Sequence, residues 1–201
     1  SASDDMYCVY LGKAVQTVNP PNASVGISQL TATGTKDATT FLRGDNTFAS
    51  AGGDNTPAFI AHLNADQSIS NSTFTEITFT ETYDSDNAFT SNTFTVPSGE
   101  AGKYFISVAA RVSGVGNDVV ILRLIKNGSA DVLLGRNDIN TTNYGLFSTN
   151  SIMLSKILDL SVGDTLKAQV FGRTYDASNS TIEGDSAGSN TWFQGYKLIG
   201  V

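Results

Sequence analysis

The 201-residue sequence predicts an all-β protein, an antiparallel jelly-roll β-sandwich head preceded by a short strand segment and an extended, loop-rich stalk. Three observations carry this reading. Val, Ile, Thr, Phe and Tyr alternate with small polar residues along most of the chain, the period-2 pattern of half-buried strands. Apolar runs are broken by Asn, Asp, Gly and Pro at spacings of roughly 8–20 residues, which suits a sandwich of short strands. No segment has convincing helical periodicity, since the nearest, 157–160, runs straight into the turn Ser161-Val162-Gly163-Asp164.

In chain order, residues 6–18 read as one strand or a pair bent at Gly12, stopped by Asn19-Pro20-Pro21, where two prolines remove two ladder donors. This gives a first segment at 1–20. Residues 21–56 are rich in Gly, Thr, Ser and Asp, and only Ile27, Leu30, Phe41, Leu42 and Phe48 punctuate them, as in a stalk. From Pro57 to Val201 the character changes to strand after strand: 57–63, 74–79, 92–96, 103–113, 119–128, 131–136, 150–160, 164–172 and 191–201. In 103–113, Tyr104, Ile106, Val108, Ala110 and Val112 share one face, while Phe105 and Ala109 make the other face semi-apolar. Lys126-Asn127-Gly128-Ser129 is a hairpin turn, because Asn and Gly tolerate positive φ.

Composition narrows the function. A net charge of −7 with 12 Lys and Arg residues and no basic cluster excludes nucleic acid as a partner. Mean hydropathy is −0.08, and no apolar stretch of about 18 residues exists for membrane insertion. The start Ser1-Ala2-Ser3-Asp4-Asp5 lacks the basic and apolar regions of a signal peptide, and with Met6 as the first Met the chain reads as a fragment or a processed product. The single Cys8 lies in an apolar run, which favours a buried thiol and leaves no internal disulfide.

Two stretches resemble known families. In 57–201 the resemblance is to the globular-head family of the first complement component, which shares the tumour-necrosis-factor-like jelly roll. It rests on Pro57-Ala58-Phe59, Phe94-Thr95-Val96-Pro97 before Gly102-x-Tyr104-x-Ile106, Leu124-x-x-Asn127-Gly128, Leu160-x-x-Gly163-Asp164 and Phe193-x-Gly195-Tyr196-x-Leu198. Unlike animal members, this chain carries no collagen repeat upstream. The first 50 residues resemble tailed-bacteriophage fibre proteins, through 10–26 (YLGKAVQTVNPPNASVG) and the segment Thr40-Phe41-Leu42-Arg43-Gly44-Asp45-Asn46-Thr47-Phe48. These resemblances imply a homotrimer attached to other virion proteins by its N-terminal segment. They also imply exposure on the particle, with a head that binds a host-surface glycan or outer-membrane protein.

Candidate sites follow. Loops at 64–72, 82–91, 136–145 and 173–190 are candidates for the receptor surface, with Tyr175, Asp176, Asp185, Asn140 and Tyr144 as its residues. Phe41, Phe48, Phe105, Tyr196 and Leu198 are the expected trimer-interface residues, since the final strand has apolar side chains on both faces. Gly184-Asp185-Ser186-Ala187-Gly188 matches the G-x-S-x-G pattern, but it sits in a loop leading to a strand, with His62 as the only available base, so no catalytic residue is expected. One His precludes a multi-histidine metal site. Asp84-Ser85-Asp86-Asn87 offers oxygen ligands to calcium, yet an Asx turn accounts for it better, and neither metal nor cofactor is expected. Arg43-Gly44-Asp45 reads as a turn with an Arg–Asp contact. Sequons at Asn22, Asn71, Asn127, Asn140 and Asn179 are those of an Asn/Ser/Thr-rich chain. Two rival readings stay open: an architectural virion decoration without a receptor, and a polysaccharide-acting hydrolase.

Overall fold

The computed structural model describes residues 26, 30–50, 55–114, 116–138 and 149–199, and the expected strand at 6–18 lies outside them. The chain divides into two compact units, Ser1–Ala51 and Gly52–Val201.

In the first unit, β1 (Thr40–Leu42) and β2 (Phe48–Ser50) form an antiparallel pair, with Leu42 opposite Phe48. Their turn closes through the Arg43 amide donating to the Thr47 carbonyl (2.7 Å), while the Asp45 carboxylate accepts from the Thr47 hydroxyl (2.6 Å). Arg43 lies 3.8 Å from Asp45, so the expected contact within Arg43-Gly44-Asp45 is present.

The second unit is a sandwich of two antiparallel sheets. Its strands are β3 (Ala58–His62), β4 (Gln67–Ile69), β5 (Thr73–Glu76), β6 (Thr80–Asp84), β7 (Phe89–Thr90), β8 (Thr93–Thr95), β9 (Gly102–Ser113), β10 (Asn117–Lys126), β11 (Ala130–Asp138), β12 (Thr149–Leu160), β13 (Thr165–Thr174), β14 (Ser180–Ile182) and β15 (Trp192–Lys197). One sheet runs β11-β10-β13-β8-β7, with β5 also on β13. The other runs β4-β14-β9-β15-β3-β6, with β12 along the free edge of β9. No helix occurs among the described residues.

Between the sheets, alternate side chains interdigitate as a sandwich requires. Tyr104, Ile106, Val108, Ala110 and Val112 of β9 are all buried, as their alternation predicts. At one end Phe59 stacks on Phe94 (4.7 Å) and Phe89 (5.1 Å) and meets Phe193 edge-on (4.9 Å). Burying such rings removes 150–250 Å² of apolar surface each, which makes this cluster a principal source of stability. The turn at 126–129 forms as expected, with Asn127 and Gly128 at φ of 52° and 78°.

Three expected loops prove to contain strands. β4 lies within 64–72, β6 and β7 occupy parts of 82–91, and β14 lies within 173–190. The expected strand 74–79 also divides: β5 stops at Glu76, and the chain then crosses to the other sheet as β6, with Ile77 fully buried at the crossing. These strands are short: β4, β7 and β14 each anchor through one buried apolar side chain, Ile69, Phe89 and Ile182, while the mostly exposed β6 is held by its ladder to β3.

Candidate functional site

The ends of the second unit differ in kind. The chain enters at residue 55 and passes Pro57, whose carbonyl accepts from the Lys197 amide of the last strand (3.0 Å). The turns 127–129 and 161–164 lie at that same end, joined by the Asn127 side chain. At the opposite end the segments 63–72, 116–118 and 173–190 are tied together. The Thr174 amide donates to Asn71 Oδ1 (2.9 Å), the Gly184 amide to Asp66 Oδ1 (2.9 Å) and the Tyr175 amide to the Gly116 carbonyl (3.2 Å). Arg173 pairs with Asp118 at 3.0 Å, and Arg111 of β9 pairs with Glu183 at 2.6 Å.

Most carboxylates of this loop end serve the loops themselves. Asp185 accepts from the amides of Ala187 (2.9 Å) and Asn190 (2.8 Å) and from that of Ser189, and these backbone bonds hold it below the ordinary carboxylate range. Asp176 accepts from the Ser178 amide (3.1 Å) and is lowered by its hydrogen bonds to Ser178. Tyr175 is half exposed beside Gly116. Asn140 and Tyr144 lie outside the described residues. At the other end, Asp84 accepts from the Asp86 amide (3.3 Å), the expected Asx turn, and also from the amides of Ala88 (3.0 Å) and Phe89 (2.8 Å). Among the described residues no group of three or more His, Cys, Asp or Glu side chains could hold a metal ion.

The outward face of the β12-β9-β15-β3 sheet is less polar. Register places side chains in cross-strand rows on this face, because alternate residues of neighbouring strands point the same way. One row runs Ile157, Phe105, Tyr196, Ala58, a second Ser155, Ser107, Gln194, Ile60, and a third Met153, Ala109, Trp192, His62. Met153 is 66% exposed, Ile157 56%, Ile60 44% and Tyr196 39%. Phe105 and Tyr196 meet at 5.5 Å. The structure therefore brings two of the expected interface residues together, while Leu198 lies just past β15, half buried. Phe41 and Phe48 belong to the first unit, where Phe41 is 61% exposed. Met153, Ile157 and Ile60 were not singled out from sequence, although their alternation with buried Ile152, Leu158, Phe59 and Ala61 marks them as outward-facing.

At the loop end of this face, Ser186 and His62 line one cleft. The His62 Nδ1 is hydrogen-bonded to the Thr82 hydroxyl (2.8 Å). The two glycines of the G-x-S-x-G pattern answer to packing. A Cβ on Gly184 would stand 2.4 Å from the Ala65 carbonyl oxygen, and Gly188, at φ +71°, lies against the His62 ring. A nucleophile elbow needs a strand-to-helix turn, and here the motif joins β14 to β15.

Comparison with solved structures supports the fold. The Eiger TNF of S. frugiperda superposes with a TM-score of 0.55 at 15% identity, over 70% of this chain and 91% of that one. Murine APRIL at pH 8.0 gives 0.51 at 12% identity, over 70% and 98%. The globular domain of a zebrafish complement 1qA protein gives 0.49 at 17% identity, over 71% and 98%. At such identities the first two likenesses are ones of fold, and on them the second unit is a jelly roll of the tumour-necrosis-factor type. No family model matches the chain, and no curated protein matches its sequence.

Proposed function

We propose that this chain is a homotrimeric structural protein of a tailed-phage virion, a fibre or spike whose jelly-roll head binds a host-surface glycan or outer-membrane protein. The observation that carries this reading is the exposed apolar face of the β12-β9-β15-β3 sheet, where Met153, Ile157, Tyr196 and Ile60 stand in solvent on a single chain. Large apolar side chains left exposed on one sheet face mark an association site, even with the Ser155–Ser107–Gln194 row running between them. Closed cyclic symmetry repeats one such face without leaving it open. The arrangement of the head agrees with the reading. Its chain enters at one end, and the segments 63–72 and 173–190 gather at the other, where three copies would present them together and weak single contacts would add through multivalency. The fibre-like segment at 41–48 supports the virion setting, with attachment to other virion proteins through the N-terminal residues.

Light scattering on a sizing column tests the assembly. A mass three times 21.2 kDa is expected, and a 21.2 kDa monomer would sink the fibre reading. Labelled protein applied to a panel of bacterial strains tests the host contact, with strain-restricted binding expected.

The architectural alternative, a decoration without a receptor, has one observation in its favour. Asp176 and Asp185 at the loop end accept from amides of their own loop, and Asn71 accepts from the Thr174 amide, instead of being offered outward. Antibody labelling of the particle separates the two, since a tail-tip position supports adsorption and a capsid position supports decoration.

A further inference from the structure

We propose that the cleft between Trp192 and the 184–190 loop is a binding site for a single neutral sugar ring. This rests on the reading of the head as a host-surface binder, and it places the recognition on the sheet face instead of in the acidic loops. The cleft has a volume of about 330 Å³ and is lined by Ile60, His62, Thr82, Ser186, Trp192 and Gln194. That is the small end of ligand sites, enough for one ring and too little for several.

The lining selects the chemistry. Trp192 and Ile60 supply apolar surface, which suits the C–H face of a pyranose. Thr82, Ser186, Gln194 and His62 supply groups that donate or accept, as each sugar hydroxyl does. Among the described residues no Asp, Glu, Lys or Arg lines the cleft, so a charged ligand would find no countercharge from them there. A purely apolar ligand would leave the amide and hydroxyls unpaired, which opposes its binding. The cleft is also preformed. Gly188 holds the loop against His62, and Asp185 ties that loop to its own amides. Position allows both functions of the face, because Trp192 stands four residues along β15 from Tyr196, about 13 Å. A subunit contact over the β12 and β9 side of the face, through Ile157, Met153, Phe105 and Tyr196, leaves the β3 side, with Ile60, His62 and the cleft, open.

Trp192 is the only tryptophan in the chain; it also borders a neighbouring recess with Arg111, Met153 and Asn190, so variants of the cleft lining assign any fluorescence change to the cleft. The full-length protein is titrated through the millimolar range with methyl α-glucopyranoside, methyl α-galactopyranoside, methyl α-mannopyranoside and N-acetylglucosamine, with acyclic sorbitol as the control. A saturable change with at least one pyranose and none with sorbitol is expected. Gln194→Ala and Ser186→Ala, with unchanged thermal unfolding, should each weaken that binding about five- to tenfold, the effect of losing one neutral hydrogen bond. No saturable change with any pyranose, or equal affinity in both folded variants, would overturn the proposal. The same preparations are applied to the bacterial panel. Strain-restricted binding with silent fluorescence sinks the cleft and leaves the host-binding head standing. Sugar binding without any cell binding keeps the cleft and removes the adhesive reading.

Discussion

Asn127, at the tip of the β10–β11 hairpin, donates its side-chain amide to the carboxylate of Asp164 in the β12–β13 turn (2.8 Å), while its Oδ1 accepts from the Thr165 amide (2.9 Å). The Ser161 amide (2.7 Å) and the Lys126 ammonium (2.6 Å) complete the shell of Asp164. One turn is thereby fastened to another across the end of the sandwich. A sequon asparagine is engaged in the process, its amide nitrogen held by a carboxylate.

The lock makes stability depend on acid. The hydrogen-bonded Lys126, then Asn127 and the Ser161 amide, hold Asp164 down at about 2, against an ordinary 3.8. A depressed carboxylate contributes fully above its unfolded pKa and loses that contribution as pH falls toward the folded value. Asp164→Asn is therefore expected to lower Tm by about 2–4 °C at neutral pH, equivalent to about 1 kcal/mol after solvent screening. The gap from the parent should close between pH 4 and pH 2. A gap that stays constant over that range would show that the carboxylate's charge does not matter.

The aromatic cluster is a sharper test of the core. Phe59 is 1% exposed and touches Phe89, Phe94 and Phe193 from three sides. Truncating it removes the ring's burial and leaves a cavity that rigid neighbours fill poorly. Phe59→Ala is expected to cost about 3–5 kcal/mol in urea unfolding. A value under about 1 kcal/mol would mean that the stack is not the centre of the core.

Gly184 and Ser186 separate packing from chemistry in the G-x-S-x-G loop. A methyl group on Gly184 would collide with the Ala65 backbone, which cannot swing aside as a side chain can. Gly184→Ala should destabilise by about 1–3 kcal/mol. Ser186→Ala should change stability by less than about 0.5 kcal/mol, as most surface substitutions do. Denaturation of the two variants checks this, and reversed magnitudes would contradict the backbone role assigned to the glycine.

How far the sequence revealed the structure depended on how each segment is stabilised. Strand β9 was legible because Tyr104, Ile106, Val108, Ala110 and Val112 alternate over its length and all turn inward. Strands β4, β6 and β14 were not, because Gln67-Ser68-Ile69, Thr80–Asp84 and Ser180-Thr181-Ile182 carry little apolar signal of their own. Their partners lie far away in sequence: β14 pairs with β4 and β9, and β6 with β3. The site was legible in parity and hidden in register. Alternation says that Met153 and Trp192 face outward, but only the pairing of both with Ala109 shows that they share a row. The Ser186–His62 cleft was hidden for the same reason, since it depends on the loop after β14 folding back over β3.

The exposed face offers the decisive variant for assembly. Met153 and Ile157 lie on β12, two pleats apart on the same outward side, and each is more than half exposed in the single chain. Changing exposed side chains costs a monomer little, typically within about 0.5 kcal/mol. In a trimer packed through this face the same changes would bury carboxylates against apolar neighbours, and unpaired buried charge is strongly unfavourable. Met153→Glu combined with Ile157→Glu is therefore expected to drop the mass from three times 21.2 kDa to a 21.2 kDa monomer. The β-rich circular dichroism of the parent should be retained. Asp159→Lys, on the same strand and the same side but already polar, serves as the control and should leave the mass unchanged. A double variant that stays trimeric would move the subunit contact off this face, to the first unit, where Phe41 and Leu42 are the exposed apolar pair.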